Sequence, residues 1–169
     1  PKKYPGQQKW TASVIMQSSR LSGTMRLGFF QPSIGIRYDD HTVLTRRIAG
    51  GDGVSLIPPN YAEYGAEFTF SGISWLSATA GVFSGRSMSE NRVVNQSGEE
   101  SSIIRNRHNP SMLLRLELFQ PIDGGILSII SGGSLLVNGD FNMENVFFGA
   151  GMFGKSSIIA EYVHTDKSD

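Results

Sequence analysis

The sequence predicts an all-β fold built from antiparallel up-and-down hairpins, and three observations support this prediction. Apolar and polar residues alternate with a period of two along most of the chain, as in strands with one apolar and one polar face. Helical spacing of apolar residues is almost absent, and no apolar run approaches the ~18 residues of a transmembrane helix. The 169 residues include 20 glycines and no cysteine, which excludes a disulfide scaffold.

The alternation places the strands in order along the chain. In residues 61–70, for example, Phe68 and Phe70 share one face, whereas Glu63 and Glu67 share the other. The strand candidates are residues 8–18, 23–31, 33–38, 60–71, 73–85, 111–120, 126–137, 145–154 and 156–165.

Residues typical of turns and loops lie between these strand candidates. Residues 71–73, 121–125 and 154–156 predict tight hairpins. Polar stretches at about 39–60 and 84–109 predict long loops, and residues 137–145 predict a shorter polar link. We expect residues 1–169 to form a single β-barrel domain or a fragment of one, since both ends of the chain look cut.

The composition of the two faces separates a soluble β-sandwich from a transmembrane β-barrel. Charged residues make up 18% of the chain, against about 25% in soluble domains, and lysine is nearly absent from the strand candidates. The non-apolar faces carry Gly, Ser and Thr with a few Arg and Glu residues, which suits a narrow wet interior. The strand candidates also have about the length needed to cross a membrane when tilted.

Aromatic residues lie near strand ends, where an interfacial girdle would form: Tyr61, Tyr64, Trp75, Phe83, Phe153 and Tyr162. These features favour a transmembrane β-barrel, or part of a larger one.

Residues 25–37 (MRLGFFQPSIGIR), followed by Asp39-Asp40-His41-Thr42 and Thr45-Arg46-Arg47, resemble outer-membrane porins of the phosphate-selective porin O/P type. They are also similar to the barrels of porin–cytochrome systems in Gram-negative bacteria. The resemblance implies a monomeric or trimeric barrel that passes small solutes or sheathes a redox partner. Members of these families are usually much longer than this chain and often finish on a terminal aromatic residue.

Pro32 and Gly35 predict a bulge or kink in residues 28–37, because proline lacks a ladder donor and glycine tolerates unusual dihedral angles. Arg26 and Arg37 then either point into a lumen and attract anions, or pair with Asp39, Asp40, Glu63 or Glu67. The residues expected to face the lumen share the non-apolar parity of their strands. They are Arg26, Arg37, Glu63, Glu67, Thr79, Arg115, Glu117 and Glu161.

The sequence contains no complete motif for metal binding, catalysis or nucleotide binding. His41 lies beside Asp39 and Asp40, but the histidines have no metal-ligand spacing, and residues 140–144 lack a complete calcium loop. A Gly-x-Ser-x-Gly elbow, a phosphate-binding loop and a dinucleotide fingerprint are all absent. We therefore expect no enzyme activity, cofactor or metal. The formal net charge of zero argues against nucleic-acid binding.

The expected function is a passive channel for small solutes in the outer membrane of a Gram-negative bacterium, in contact with lipid and able to form a homo-oligomer. One alternative is a barrel that sheathes or anchors a periplasmic multihaem cytochrome; any haem would then belong to that partner, because the chain lacks Cys-x-x-Cys-His. A second alternative is a soluble β-sandwich that acts as a binding module.

Overall fold

A computed structural model describes residues 11–35, 49–50, 54–55, 62–85, 92–94, 100–102, 109–122, 124, 126–139, 141–152 and 156–167. These residues contain twelve strands. They are β1 (Ala12–Ser18), β2 (Gly23–Phe30), β3 (Ala49–Gly50), β4 (Val54–Ser55), β5 (Glu63–Ile73), β6 (Leu76–Phe83), β7 (Arg92–Val94), β8 (Glu100–Ser102), β9 (Ser111–Ile122), β10 (Leu127–Asn138), β11 (Phe141–Met152) and β12 (Ser156–Lys167). No helix in the described residues is long and apolar enough to cross a membrane.

Eight of these strands form one antiparallel sheet in the order β1-β2-β5-β6-β9-β10-β11-β12. Each strand pairs with the next sheet strand along the chain, so the predicted all-β, up-and-down architecture is confirmed. Two small ladders, β3–β4 and β7–β8, lie within the two long loops that the sequence predicts. Strands β1 and β12 are the edges of the sheet, and no ladder joins them among the described residues.

The connections differ between the two ends of the sheet. At one end, the turn end, short segments connect β1 to β2, β5 to β6, β9 to β10 and β11 to β12. At the opposite end, the loop end, two long segments connect β2 to β5 and β6 to β9, and a tight turn at Gly139 connects β10 to β11. Both long connections therefore belong to the same end of the sheet.

Three predicted boundaries are wrong. Strand β5 continues through residues 71–73 with a bulge between Phe70 and Ile73, so the hairpin turns at residues 74–75 instead. The predicted link at 137–145 is a tight turn, because Gly139 adopts a φ of 52° and lets both strands extend to it. Residues 33–35 are not a strand, while residues 36–38 lie outside the described residues.

The register assigns every residue of the sheet to one of two faces, because directly paired residues project to the same side. One continuous row runs from Thr69 through Thr79, Arg115 and Ser134 to Asn145 across five strands. We call the side that carries this row the inner face and the opposite side the outer face. For β1, β5, β6, β9, β11 and β12 the alternation in the sequence predicts the same two sets of residues, since alternation depends only on the pleat.

The outer face is apolar and exposed over most of the sheet. Its exposed large apolar side chains come from seven of the eight strands: Val14, Met16, Met25, Tyr64, Val82, Met112, Leu114, Leu116, Leu118, Val146, Phe148, Met152, Ile158 and Tyr162. Strand β10 adds half-buried Leu135 and Val137. Glu144 and His164 also project from this face, directly opposite each other and near the loop end.

The buried apolar core lies against the inner face near the loop end. It consists of Phe30, Ile34, Phe83, Leu113, Leu136 and Met143, with Val163 packed against it. Phe83 is only 1% exposed and belongs to this core, so its expected place in an aromatic girdle is wrong. Tyr64, Trp75 and Tyr162 are exposed. Tyr61 and Phe153 lie outside the described residues.

Candidate functional site: the inner face and its strap

Seven of the residues expected to face a lumen lie on the inner face. The register places Arg26 opposite Glu67 and Thr79 opposite Arg115, and the strand pleat puts Glu63 on the same side as Glu67. Glu117 and Glu161 belong to the same face through their pairing with Gly132 and Phe147, which are themselves paired. Arg37 and His41 lie outside the described residues, so the expectations for them stay open.

Residues 31–35 leave the sheet after β2 and lie against the inner face; we call this segment the strap. Pro32 starts this departure, because a proline nitrogen cannot donate to the neighbouring strand. A local hydrogen bond from the Ile34 N–H to the Pro32 carbonyl, 2.9 Å long, closes the chain into a compact turn. The predicted kink is therefore a complete departure from the sheet.

The strap is held by side chains of three strands. The backbone N–H of Ser33 donates to Glu67 Oε2 on β5 at 3.0 Å, and the Ser33 hydroxyl donates to Oε1 of the same carboxylate. The N–H of Gly35 donates to Ser134 Oγ on β10 at 3.0 Å. Arg115 on β9 donates through Nε to the Gly35 carbonyl at 3.2 Å. The backbone N–H groups of Ser33 and Gly35 and the Gly35 carbonyl therefore each have a hydrogen-bond partner on the inner face, as buried polar groups generally do.

Arg115 connects the strap to a partly buried ion pair. Its guanidinium binds Glu117, two residues along the same strand, and lies 5.4 Å from the ring centroid of Phe147. The Arg115 side chain is 8% exposed. A buried arginine needs such partners, because an unpaired charge away from water is strongly unfavourable. Arg115 is therefore a structural anchor of the inner face.

Arg26 also has close partners. Its Nε donates to Ser13 Oγ on β1 at 3.0 Å, and its guanidinium lies 4.2 Å from the ring centroid of Phe30. Glu67 lies directly across the ladder from Arg26. The partners that the structure shows for the Arg26 guanidinium are Ser13 and the Phe30 ring, so the two expectations for Arg26, a lumen role and pairing with a carboxylate, stay open.

Several other polar groups of the inner face form hydrogen-bonded pairs. Thr69 and Thr79 hydroxyls are 3.0 Å apart, and Ser84 donates to Glu63 Oε2 at 2.6 Å. Asn145 Nδ2 donates to Glu161 Oε1 at 2.5 Å. A further pair at the loop end joins Asn138 Nδ2 to Ser111 Oγ at 2.7 Å.

Of the side chains that hold the strap, Glu67 and Arg115 are among the predicted lumen residues, whereas Ser33 and Ser134 are not. Ser33, Ser134 and the neighbouring Asn145 are buried, yet serine and asparagine are common in loops and give no distinct signal. Their parity does carry a signal, because Ser134 pairs with Arg115 and Asn145 pairs with Ser134. The course of the strap has no such local signal.

The sequence resemblance to porins concerns residues 25–47, of which residues 25–35 are described. Within that part, the proline and the second glycine shape the strap. Comparison of the chain with protein-family models finds no match, and comparisons with curated proteins and with solved structures find no significant match either.

Proposed function

We propose that this sheet is a transmembrane β-barrel, or part of one, in the outer membrane of a Gram-negative bacterium, and that it lets small solutes pass along its inner face. The observation that carries the proposal is the reversal of the usual arrangement of a soluble sheet. The exposed face is apolar on nearly every strand, whereas the buried face carries Arg, Glu, Ser, Thr and Asn. Lipid, and not water, is the solvent in which such a sheet is stable.

The extent of the exposed apolar surface favours this proposal over a soluble β-sandwich. Soluble monomers rarely expose a continuous apolar patch of more than a few hundred Å². In a sandwich a second layer would cover such a face, and the described residues provide no layer over Leu114, Leu116 or Phe148. The charged and titratable outer-face residues Glu144 and His164 lie near the loop end, where headgroups would meet a membrane barrel.

The inner face supports the channel part of the proposal. Glycines at positions 65, 81, 132 and 149 project no side chain from this face and so leave space above it, and hydroxyl, amide and charged groups line the rest. Such a lining selects solutes by size and charge. A small solute would move along hydrogen-bonding groups that replace part of its hydration shell.

The lipid location is tested with single cysteines carrying a small fluorescent label in vesicles of brominated phospholipid. The chain has no native cysteine, so each label is unique. We expect strong quenching at L116C and F148C, whose parent side chains are 50% and 52% exposed on the outer face. S77C, on the inner face opposite Glu117, is the matched control and should be quenched much less. Equal quenching at all three positions would contradict a lipid-facing outer face.

The channel is tested by the conductance of planar bilayers in potassium chloride. The reconstituted chain should produce discrete conductance steps, and a bulky thiol reagent should reduce them in S77C but not in F148C. Steps that are absent, or equally insensitive in both variants, would contradict passage along the inner face.

A further inference from the structure

Specific hydrogen bonds attach the strap to the inner face. Within the described residues there are four of them: two from Ser33 to Glu67, one from Gly35 to Ser134, and one from Arg115 to the Gly35 carbonyl. No strand ladder includes residues 31–35. The strap can therefore detach without breaking any ladder of the eight-stranded sheet, and these hydrogen bonds, together with the burial of Pro32, Ser33 and Ile34, oppose that movement.

The strap also reaches far across the inner face. Its attachments belong to β5, β9 and β10, and the space beside Gly35 is occupied by the Glu161 carboxylate of β12 and the Asn145 amide of β11. Gly35 has a φ of 64°, a conformation that glycine adopts without the strain of other residues. The segment thus occupies the polar row of the inner face along which a solute would have to move.

We propose that the strap is a gate: when its four hydrogen bonds are made it blocks the inner face, and when they break it swings aside and opens that path. Ser134, Glu67 and Arg115 form the latch and act as positioning residues. This inference rests on the proposed channel function and adds the segment that would regulate it. The latch can be tested without any measurement of transport, which keeps the two proposals separable.

The latch is tested with a thiol reporter at position 34. Ile34 is 6% exposed and its side chain makes none of the four hydrogen bonds, so I34C reports whether the strap is in place. Ser134→Ala removes the acceptor of the Gly35 N–H. Ser131→Ala is the matched control, because Ser131 lies on the same strand but projects from the outer face opposite Leu118. L21C, in an exposed turn, gives the labelling rate of an accessible thiol.

We expect a water-soluble thiol reagent to modify I34C about tenfold faster in the S134A background than in the S131A background, because a lost buried hydrogen bond shifts the detached population by about that factor. The I34C/S131A protein should react far more slowly than L21C. Equal rates in the two backgrounds, or an I34C rate equal to that of L21C in the control background, would overturn the latch.

The gate itself is tested by conductance in the reconstituted chain. S134A should increase the mean conductance over S131A. Cysteines at positions 33 and 67 can be joined by a short bis(methanethiosulfonate) cross-linker, which forms a disulfide with each thiol and releases two sulfinate ions. The cross-link should lower the conductance until a reductant cleaves the disulfides. Unchanged conductance in both experiments, in a protein that does conduct, would overturn the gate. If no variant conducts while I34C labelling still responds to S134A, the channel function fails and the latch stands.

Discussion

Gly35 shows how one residue can be constrained by its own backbone and by distant residues at once. Its φ of 64° would strain an alanine, and a Cβ there would also collide with the Glu161 side chain. Gly124 has nearly the same φ, 65°, but nothing lies within 4 Å of the position of its Cβ. A comparison of substitutions at these two glycines therefore separates the energetic cost of backbone strain from the cost of disturbing the packing of the strap.

We expect Gly124→Ala to lower the free energy of unfolding by about 1 kcal/mol, from backbone strain alone. Gly35→Ala should lower it by about 2–3 kcal/mol, because the Glu161 carboxylate must also move away and lose its hydrogen bond from Asn145. Urea unfolding in detergent micelles, followed by tryptophan fluorescence, measures both. Equal losses for the two variants would show that the Glu161 carboxylate moves aside at no cost.

At the scale of one element, β9 contains both environments in alternate residues. Leu113 is buried in the core and Arg115 is paired with Glu117, whereas Leu114 and Leu116 project from the outer face. The same side-chain type, leucine, therefore serves two different surroundings within one strand. The pleat decides between them, since neighbouring residues point to opposite faces.

Strand β9 also offers a direct test of its surroundings. Leu116→Arg should destabilise the protein in lipid by about 2–4 kcal/mol, the cost of an arginine near the middle of a bilayer. Gln120→Arg, on the same face of the same strand but near its turn, should cost at most about 1 kcal/mol. Unfolding titrations in lipid vesicles compare the two. Changes within about 0.5 kcal/mol for both variants would match a surface in water and contradict the lipid-facing assignment.

At the scale of the whole molecule, the two edges of the sheet are the main structural requirement of the proposal. Strand β1 is exposed on both of its faces, as Val14 and Ile15 show, and β12 carries the exposed Ile158. Backbone groups on an unpaired edge cannot face lipid, because no water satisfies them there. A barrel in a membrane must therefore pair both edges.

A closed barrel makes a simple electrophoretic prediction. The folded protein should require detergent for extraction and should migrate faster on a gel when unheated than when heated, because a closed sheet resists unfolding by the detergent. A chain that stays in solution without detergent, or shows one mobility at both temperatures, would instead support a soluble sheet.

Much of the fold could be predicted because its signal is local. The inner positions of Glu63, Glu67, Thr79, Arg115, Glu117 and Glu161 follow from parity within single strands. Two predictions were wrong where contacts between strands override the local pattern. Ser71-Gly72 resembles a turn but forms a bulge within β5, which pairs again at Ile73 with Leu76. Phe83 resembles a girdle residue but packs beside Phe30. Tyr64, with the same aromatic character, projects outward because its parity is opposite.

The sequence by itself determined the approximate positions of the eight strands of the main sheet, their up-and-down order and the alternation of their faces. These properties depend on the period-two pleat and on the residues between strands, which are both local. Only the tertiary structure decided the course of the strap and the partners of its residues. Ser33 meets Glu67 across 34 positions and Gly35 meets Ser134 across 99 positions. Contacts of that separation depend on how the whole sheet curves, and no local pattern encodes that curvature.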